Sequence, residues 1–335
     1  MRKWRLIGCT AFVLVTAVVL AVAATLLPDN PYQRFQQLDG TIYGNDRWSY
    51  ERIHFDPRPI DVAIVGDSKS LIGLSAVEIE RRLAEHGKQV SVANMSLEGA
   101  GRNVQWIFVQ ELLKTKRPSV IVLAVNEQPH PWGHDSFRYI APASEVWREA
   151  SYGLHDAKKN LMYLPFRQLR LFAAKIFPGF LGLQDRFDAA RYAATPTGFP
   201  DRHKNQAGEW IDLRQTSPRE KLLREADQYA GEFGKHSKLP PAVRAVTDAD
   251  DRIYTELIAR AAAEHGVKLL FVYQPAFYHF GPITNRRFYE ALGPLQDNSD
   301  LADRDTLFYD WSHVNTGGAT IVSDRVADAL AKMLR

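Results

Sequence analysis

The chain has 335 residues, of which 45% are hydrophobic and 24% are charged, a balance typical of a globular protein with a sizeable core. The net charge of +3 is small for this length, and the basic residues beyond the N-terminus are scattered, which disfavours binding of nucleic acid. The single cysteine, Cys9, excludes an internal disulfide.

The N-terminus carries the clearest compositional signal. Three of the first five residues are basic, and an uncharged run from Leu6 to Leu27 follows them. About 20 helical residues span the ~30 Å hydrocarbon core of a bilayer. The basic residues before the run, with Asp29 as the first acid after it, predict a cytoplasmic N-terminus and a remainder outside the cytoplasm. A cleaved signal peptide is the alternative, because Ala-Val-Ala at 21–23 resembles a cleavage site, but the length of the run favours an anchor.

Residues 28–60 are rich in proline, asparagine, glutamine and aromatic residues, and we expect a linker that becomes ordered against the following domain. Short apolar segments then alternate with amphipathic segments, a pattern typical of strands alternating with helices. The predicted elements are a strand at 61–66, a helix at 75–86, a strand at 89–95, a helix at 101–115 and a strand at 119–125. Ser75 and Glu78 form the capping-box pattern at the start of the first helix.

The alternation is interrupted from Asn126 to about Val246. No loop of that length belongs in a compact sheet, so we predict a folded, mostly helical insertion at about 127–246. Helix candidates lie near 144–175 and 218–232. The alternation then resumes with a helix at 248–265, a strand at 267–274, a connection of loop and short helix at 275–303, a short last strand at 306–309 and a closing helix at 316–334.

Strands that alternate with helices predict a parallel sheet covered on both faces. We therefore predict an α/β fold, a three-layer, flavodoxin-like α/β/α domain with a parallel sheet of about five strands. The predicted organisation is a transmembrane anchor or signal peptide at 1–27, a linker at 28–60 and this domain at 61–335.

Four polar stretches fall at predicted strand ends or just before the last helix, where open α/β sheets bind their ligands. They are Gly66-Asp67-Ser68, NMSLEGAG at 94–101, AVNEQ at 124–128 and YDWSHVN at 309–315. A serine nucleophile needs a base, and the base needs an orienting acceptor. Of the ten histidines, only His313 lies at a sheet terminus with an acid, Asp310, at short spacing. We expect Asp310 to hold Nδ1 of His313, which leaves Nε2 as the base for Ser68.

An oxyanion site needs two or three hydrogen-bond donors beside the serine. The backbone N–H groups of Ser68 and Gly99 and the side-chain amide of Asn126 lie in suitable parts of the predicted sheet. A glycine at position 99 lets a backbone amide approach the substrate without an intervening Cβ.

The four stretches, taken in this order, resemble the motifs of the SGNH (GDSL-like) hydrolases. The resemblance covers roughly 61–130 and 247–335. It implies Ser68 as the nucleophile, Gly99 and Asn126 as oxyanion donors, and Asp310 with His313 as the remainder of a catalytic triad.

Two positions depart from the usual pattern of that family. Ala124 stands where the third motif commonly has a glycine, and we expect this difference to tighten the pocket around Asn126. Lys69 stands where a leucine is more usual, and it either attracts an anionic or polyhydroxylated substrate or points to solvent.

The anchor, the domain and the insertion together resemble the bacterial envelope proteins that O-acetylate polysaccharides or D-alanylate teichoic acids beside a multi-span membrane acyltransferase. The resemblance implies O-acetyl transfer or de-esterification on an envelope or exported polysaccharide. It also implies a single-pass protein of the cell inner membrane with a periplasmic domain. The alternatives are a general lipase or esterase on small esters, and a non-catalytic accessory protein that scaffolds a membrane acyltransferase.

No cofactor or metal is expected for this chemistry. His130 and His134 flank Pro-Trp-Gly and could suggest a metal pair. A metal site needs a convergent third ligand, and the sequence offers none, so both are interpreted as loop histidines.

Overall fold

The structure, a computed structural model, describes residues 2–99, 101–126, 132–177, 179, 181–192, 202–204, 209–237, 240, 243, 248–278, 283 and 285–334. The chain divides into two compact units. The first contains Met1–Asp39 and Asp135–Asp188, and the second contains Gly40–His134 and Ala189–Arg335. The predicted insertion at 127–246 therefore contributes residues to both units.

The helices of the described residues are, in chain order, α1 (Arg2–Thr25), α2 (Pro31–Gln36), α3 (Asn45–His54), α4 (Ser68–Gly73), α5 (Ala76–Glu85), α6 (Arg102–Thr115), α7 (Phe137–Ile140), α8 (Ala143–Ser151), α9 (Ala157–Ile176), α10 (Arg219–Ser237), α11 (Ala249–Glu264), α12 (Arg286–Leu292) and α13 (Thr316–Met333). The strands are β1 (Val62–Val65), β2 (Val92–Asn94), β3 (Val120–Ala124), β4 (Arg202–Lys204), β5 (Trp210–Asp212), β6 (Lys268–Tyr273) and β7 (Leu295–Asp297).

The second unit is built on a five-stranded sheet in the order β2-β1-β3-β6-β7, and every neighbouring pair is parallel. Ile64 of β1 pairs with Asn94 on one side and with Val122 on the other. All residues of β1 and β3 are buried, as expected for central strands of a parallel sheet. The prediction of an α/β fold with about five parallel strands is confirmed.

The predicted last strand at 306–309 is wrong. The fifth strand is β7, which lies inside the segment predicted as a connection. Residues Asp305–Leu307 form a 3-10 helix, and Phe308 makes a single antiparallel bridge to Val314. The apolar character of 306–309 reflects burial of Phe308 and Tyr309 beside a loop. The half-buried Leu-Gln-Asp of β7 lacks the β-branched residues that are typical of strands.

Both faces of the central strands are buried. Val62, Ile64 and Val122 belong to one apolar cluster with residues of α5 and α13. The alternate residues of the same strands, such as Ala63 and Ile121, are equally buried, and successive side chains of a strand point to opposite faces. Ser75 caps α5 by accepting a hydrogen bond from the backbone N–H of Glu78 at 3.2 Å, as the capping pattern predicts.

In the first unit, α9 packs against α1, α7 and α8. The predicted helical region near 144–175 consists of α8 and α9, separated by a turn in which Gly153 has φ +66°. The segment Ile7–Thr25 of α1 is long and apolar enough to cross a membrane, and 6% of it is buried. One such helix near the N-terminus is consistent with an anchor and with a signal sequence alike.

A buried ion pair joins α6 to α11 in the second unit. Nε of Arg102 lies 3.0 Å from Oδ1 of Asp251, and Nη2 of Arg102 donates to the backbone oxygen of Ala124, the last residue of β3, at 2.7 Å. Oη of Tyr289 donates to Oδ2 of Asp251 at 3.0 Å. These contacts fix the end of β3, which leads into Asn126.

We predict that Arg102→Ala lowers the free energy of unfolding by about 3–5 kcal/mol, because Asp251 then keeps a largely buried charge without its cation. The urea midpoint of the full-length protein in detergent measures this. Arg81→Ala is the control, since Arg81 on α5 pairs with Glu78 and Glu85 on the surface, and its midpoint should be unchanged. Equal midpoints for the two variants would contradict the prediction.

Candidate active site

The turn between β1 and α4 places Ser68 at the first residue of a helix. A Cβ at Gly66 would lie 2.5 Å from both Cβ and Oγ of Ser70, so only glycine lets α4 return this closely to the strand end. Oδ1 of Asp67 accepts hydrogen bonds from the backbone N–H groups of Lys69 at 3.1 Å and Ser70 at 3.3 Å, which caps α4. Gly66 and Asp67 therefore build the turn that carries the Ser68 hydroxyl.

Asn94, the last residue of β2, holds the other end of α4. Its Nδ2 donates to the backbone oxygens of Ser70 at 2.9 Å and Leu74 at 2.7 Å, and its Oδ1 accepts from the N–H of Ser96 at 3.1 Å. Asn94 is buried, so these bonds form away from competing water. One side chain thus fixes α4 to the sheet and starts the loop that leads to Gly99.

The loop before α13 brings a carboxylate and an imidazole together. Oδ1 of Asp310 accepts hydrogen bonds from the backbone N–H groups of Ser312 and His313, both at 2.7 Å. Asn315 caps α13 by accepting from the N–H of Gly318 at 3.1 Å. The spacing of three residues between Asp310 and His313 therefore closes a tight turn, as the sequence predicts.

Ser68, His313 and Asp310 meet in a hydrogen-bonded chain. Nε2 of His313 lies 2.8 Å from Oγ of Ser68, and Nδ1 of His313 lies 3.0 Å from each carboxylate oxygen of Asp310. The side chains of His313 and Asp310 are 18% and 27% exposed. This arrangement can move a proton from the serine to the imidazole while the carboxylate stabilises the resulting cation.

The charges around His313 favour its protonated form. Burial lowers the pKa of His313, but the charge and hydrogen bond of Asp310 outweigh burial, and Glu98 adds to them, so the pKa lies above its ordinary value. The charge of Lys69 acts in the opposite direction. Burial raises the pKa of Asp310, but His313 and the two N–H donors lower it by more than burial raises it. The pKa therefore lies below its usual value, and the carboxylate stays ionised.

The residues predicted as oxyanion donors follow three adjacent strands. Ser68 follows β1, Gly99 lies five residues beyond the end of β2, and Asn126 lies two residues beyond β3. Gly99 has φ +83°, a left-handed conformation that favours glycine. The backbone oxygen of Asn126 lies 3.5 Å from Oη of Tyr289. The role of the Ser68, Gly99 and Asn126 donors stays a prediction.

His134 holds the loop that carries Gly99, a role that sequence reasoning missed. Its ring Nε2 lies 2.5 Å from the backbone oxygen of Glu98, and its backbone N–H donates to Oδ1 of Asn103 at 2.8 Å. His130, which like His134 was predicted to be a loop histidine, lies outside the described residues. Within the described ranges, no group of three or more His, Cys, Asp or Glu residues could hold a metal ion.

A second missed contribution comes from residues 213–217, which hold the loop of His313. The hydroxyl of Ser217 donates to the backbone oxygen of Tyr309, and the backbone N–H of Thr316 donates to the backbone oxygen of Leu213 at 2.9 Å. The ring of Tyr309 stacks on that of His313 with centroids 5.6 Å apart and planes inclined by 16°. No local pattern in Leu-Arg-Gln-Thr-Ser signals this role, because it depends on a contact about 90 residues away along the chain.

A comparison with models of known protein families found no match, and a comparison with curated proteins found no relative. Neither comparison therefore supports or contradicts the resemblance of the four motifs. The chemistry of the site has to be inferred from its distances, hydrogen bonds and charges.

We predict that the pKa of His313 lies above 6.5 and that Asp310→Asn lowers it. In that variant burial and the charge of Lys69 still lower the pKa, and only Glu98 remains to raise it. Histidine NMR titration of the full-length protein in detergent measures the pKa, with His313→Gln assigning the resonance. Glu98→Gln is the matched control, since the weaker influence of Glu98 should give a smaller decrease. An unchanged pKa in Asp310→Asn would show that the carboxylate does not govern the imidazole.

Proposed function

We propose that this protein is an SGNH-type serine enzyme that carries out acyl-ester chemistry. The hydrogen-bonded chain of Ser68, His313 and Asp310 is the observation that carries the proposal. A serine hydroxyl is a weak nucleophile until a base removes its proton. Here the base is 2.8 Å away and is itself oriented by a carboxylate.

The proposed reaction has two halves. Oγ of Ser68 attacks the ester carbonyl carbon while Nε2 of His313 takes its proton, and Asp310 stabilises the imidazolium. The tetrahedral intermediate then expels the alcohol, which receives that proton, and an acyl-enzyme remains. Water or a sugar hydroxyl next attacks the acyl carbon and gives its proton to His313, which returns it to Ser68 as the product leaves.

The developing oxyanion needs fixed donors. We assign this role to the backbone N–H groups of Ser68 and Gly99 and to the side-chain amide of Asn126. Their positions after β1, β2 and β3 support the assignment, because the carboxyl ends of parallel strands share one edge of the sheet. The contact of His134 with the Glu98 carbonyl restricts the loop of Gly99.

We also propose a three-layer, flavodoxin-like arrangement for the second unit. Numbered along the chain, the strands of the sheet follow the order 2-1-3-4-5, which is the order of flavodoxin-like doubly wound sheets. Packing of α5 with α13 and of α6 with α11, together with burial of both sheet faces, supports a layer of helices on each side.

The proposed cellular setting rests on α1. We propose that Ile7–Thr25 anchors the chain in the cell inner membrane and that the second unit is periplasmic. The uncharged segment and the basic residues before it support this orientation. An envelope or exported polysaccharide is the proposed substrate, with an O-acetyl group as the acyl group and a multi-span membrane O-acyltransferase as the partner that supplies it.

A fluorophosphonate is expected to label Ser68 of the full-length protein in detergent, because the probe reports an activated hydroxyl without requiring the true substrate. Ser68→Ala should abolish labelling, and His313→Gln should slow it by about 10²- to 10⁴-fold through loss of the general base. Peptide mass spectrometry identifies the labelled residue.

Ser312→Ala is the matched control, since Ser312 lies on the loop of His313 and only its backbone N–H contacts Asp310. It should keep the labelling rate of the unaltered protein. Labelling that survives in Ser68→Ala, or no labelling of the unaltered protein, would contradict the proposed nucleophile.

Transfer and hydrolysis differ in the acceptor, and p-nitrophenyl acetate with and without an oligosaccharide distinguishes them. We expect acetylated sugar that depends on Ser68, detected by mass spectrometry. Acetate release alone in both samples would favour the general esterase. Unchanged acetylation of cellular polysaccharide by Ser68→Ala would favour the non-catalytic scaffold.

A further inference from the structure

Helix α9 in the first unit is apolar on two opposite faces. Leu164, Leu171 and Ala174 are buried within the unit. On the other side, Met162, Phe166 and Leu169 are 65%, 71% and 52% exposed. Their spacing of four and three residues puts them in one stripe along the helix. A contiguous exposed apolar stripe of this kind marks an interaction surface.

The stripe adjoins the candidate membrane span. Met162, Phe166 and Leu169 line a groove of about 480 Å³ whose opposite wall is formed by Val18 and by residues 20–22, 24 and 25 of α1. These α1 residues lie in the C-terminal half of the apolar segment Ile7–Thr25. If that segment spans a bilayer with its N-terminus in the cytoplasm, its C-terminal residues lie in the outer leaflet, because each helical residue advances 1.5 Å along the axis. The stripe beside those residues then lies at the same depth.

Two further features suit a lipid boundary. Nε1 of Trp147 lies 3.4 Å from Oγ1 of Thr25, the last residue of the candidate span, and tryptophan is enriched where the acyl region meets the headgroups. No acidic residue occurs between 157 and 176, whereas Lys158 and Arg170, which lie beside the stripe, are exposed. Exposed basic residues beside an apolar stripe attract anionic headgroups.

We propose that the exposed stripe of α9, defined by Met162, Phe166 and Leu169, inserts into the outer leaflet of the membrane as an interfacial helix beside α1. The inference rests on the proposed membrane anchor. Lipid is favoured over a protein partner because the stripe is continuous with the lipid-exposed surface expected of α1 and is flanked by cations. The first unit would then contact the membrane through two helices, α1 as a spanning helix and α9 as an interfacial helix.

Spin-label accessibility in proteoliposomes of phosphatidylethanolamine and phosphatidylglycerol tests this on the full-length chain. Cys9→Ser removes the only cysteine, and Phe166→Cys then carries the label. Lys175→Cys is the matched control, because nine residues make about two and a half turns and put Lys175 on the opposite side of α9. Leu14→Cys reports the candidate span, and Gln89→Cys reports an exposed position of the second unit.

The proposal expects labels at 166 and 14 to gain relaxation by oxygen and to lose relaxation by a water-soluble nickel complex, compared with labels at 175 and 89. Nickel access at 166 with oxygen access at 14 overturns the interfacial helix and leaves the anchor standing. Shielding of 166 from both reagents overturns it in favour of a protein partner, a second copy included.

Nickel access at position 14 overturns the anchor and the inference together. Fluorophosphonate labelling of Ser68 in the same samples keeps this result separate from the chemistry of the site. Met162→Cys provides a second position on the stripe and should behave as Phe166→Cys does, and opposite behaviour at the two positions would overturn the stripe as a single lipid-facing surface.

Discussion

The hydrogen bond between Oγ of Ser68 and Nε2 of His313 is the contact on which the proposed chemistry depends. It joins two residues that are 245 positions apart along the chain. Without His313, the hydroxyl of Ser68 has no base to activate it, and without Ser68, the base has no nucleophile to deprotonate. The parallel sheet positions the turn after β1, whereas the loop before α13 is positioned by its contacts with residues 213–217 and by packing of α13 against α4 and α5. Each loop is then held by its own set of backbone hydrogen bonds.

Those two sets use polar side chains in the same way. Asp67 and Asn94 bond the backbone at the two ends of α4, while Asp310 and Asn315 bond the backbone on either side of His313. Short side chains of this kind compete well for nearby N–H and carbonyl groups. Asp310 thus fixes the turn and orients the imidazole with one carboxylate, so its loss affects both geometry and proton affinity.

Local pattern predicted the parts of this molecule that depend on local physics. The central strands, the cap at Ser75 and the turn that pairs Asp310 with His313 follow from burial, capping and short spacing, and all are present. The strand β7 was missed because it is short and half-buried, so its stability comes from pairing with β6 rather than from its own composition. His134 and residues 213–217 support the site through contacts made only after the chain has folded. Likewise, nothing in the sequence of α9 alone shows that its apolar stripe adjoins α1.

The pH dependence of the rate at which a fluorophosphonate modifies Ser68 tests the central claim most directly. Only neutral His313 can accept the serine proton, so the rate should rise with pH and reach half of its maximum at the pKa of His313, above the ordinary value. In Asp310→Asn the midpoint of the residual rate should move to lower pH, since loss of the carboxylate weakens proton binding by the ring. A rate that is independent of pH between about 5 and 9, or a midpoint that does not move in that variant, would contradict the account.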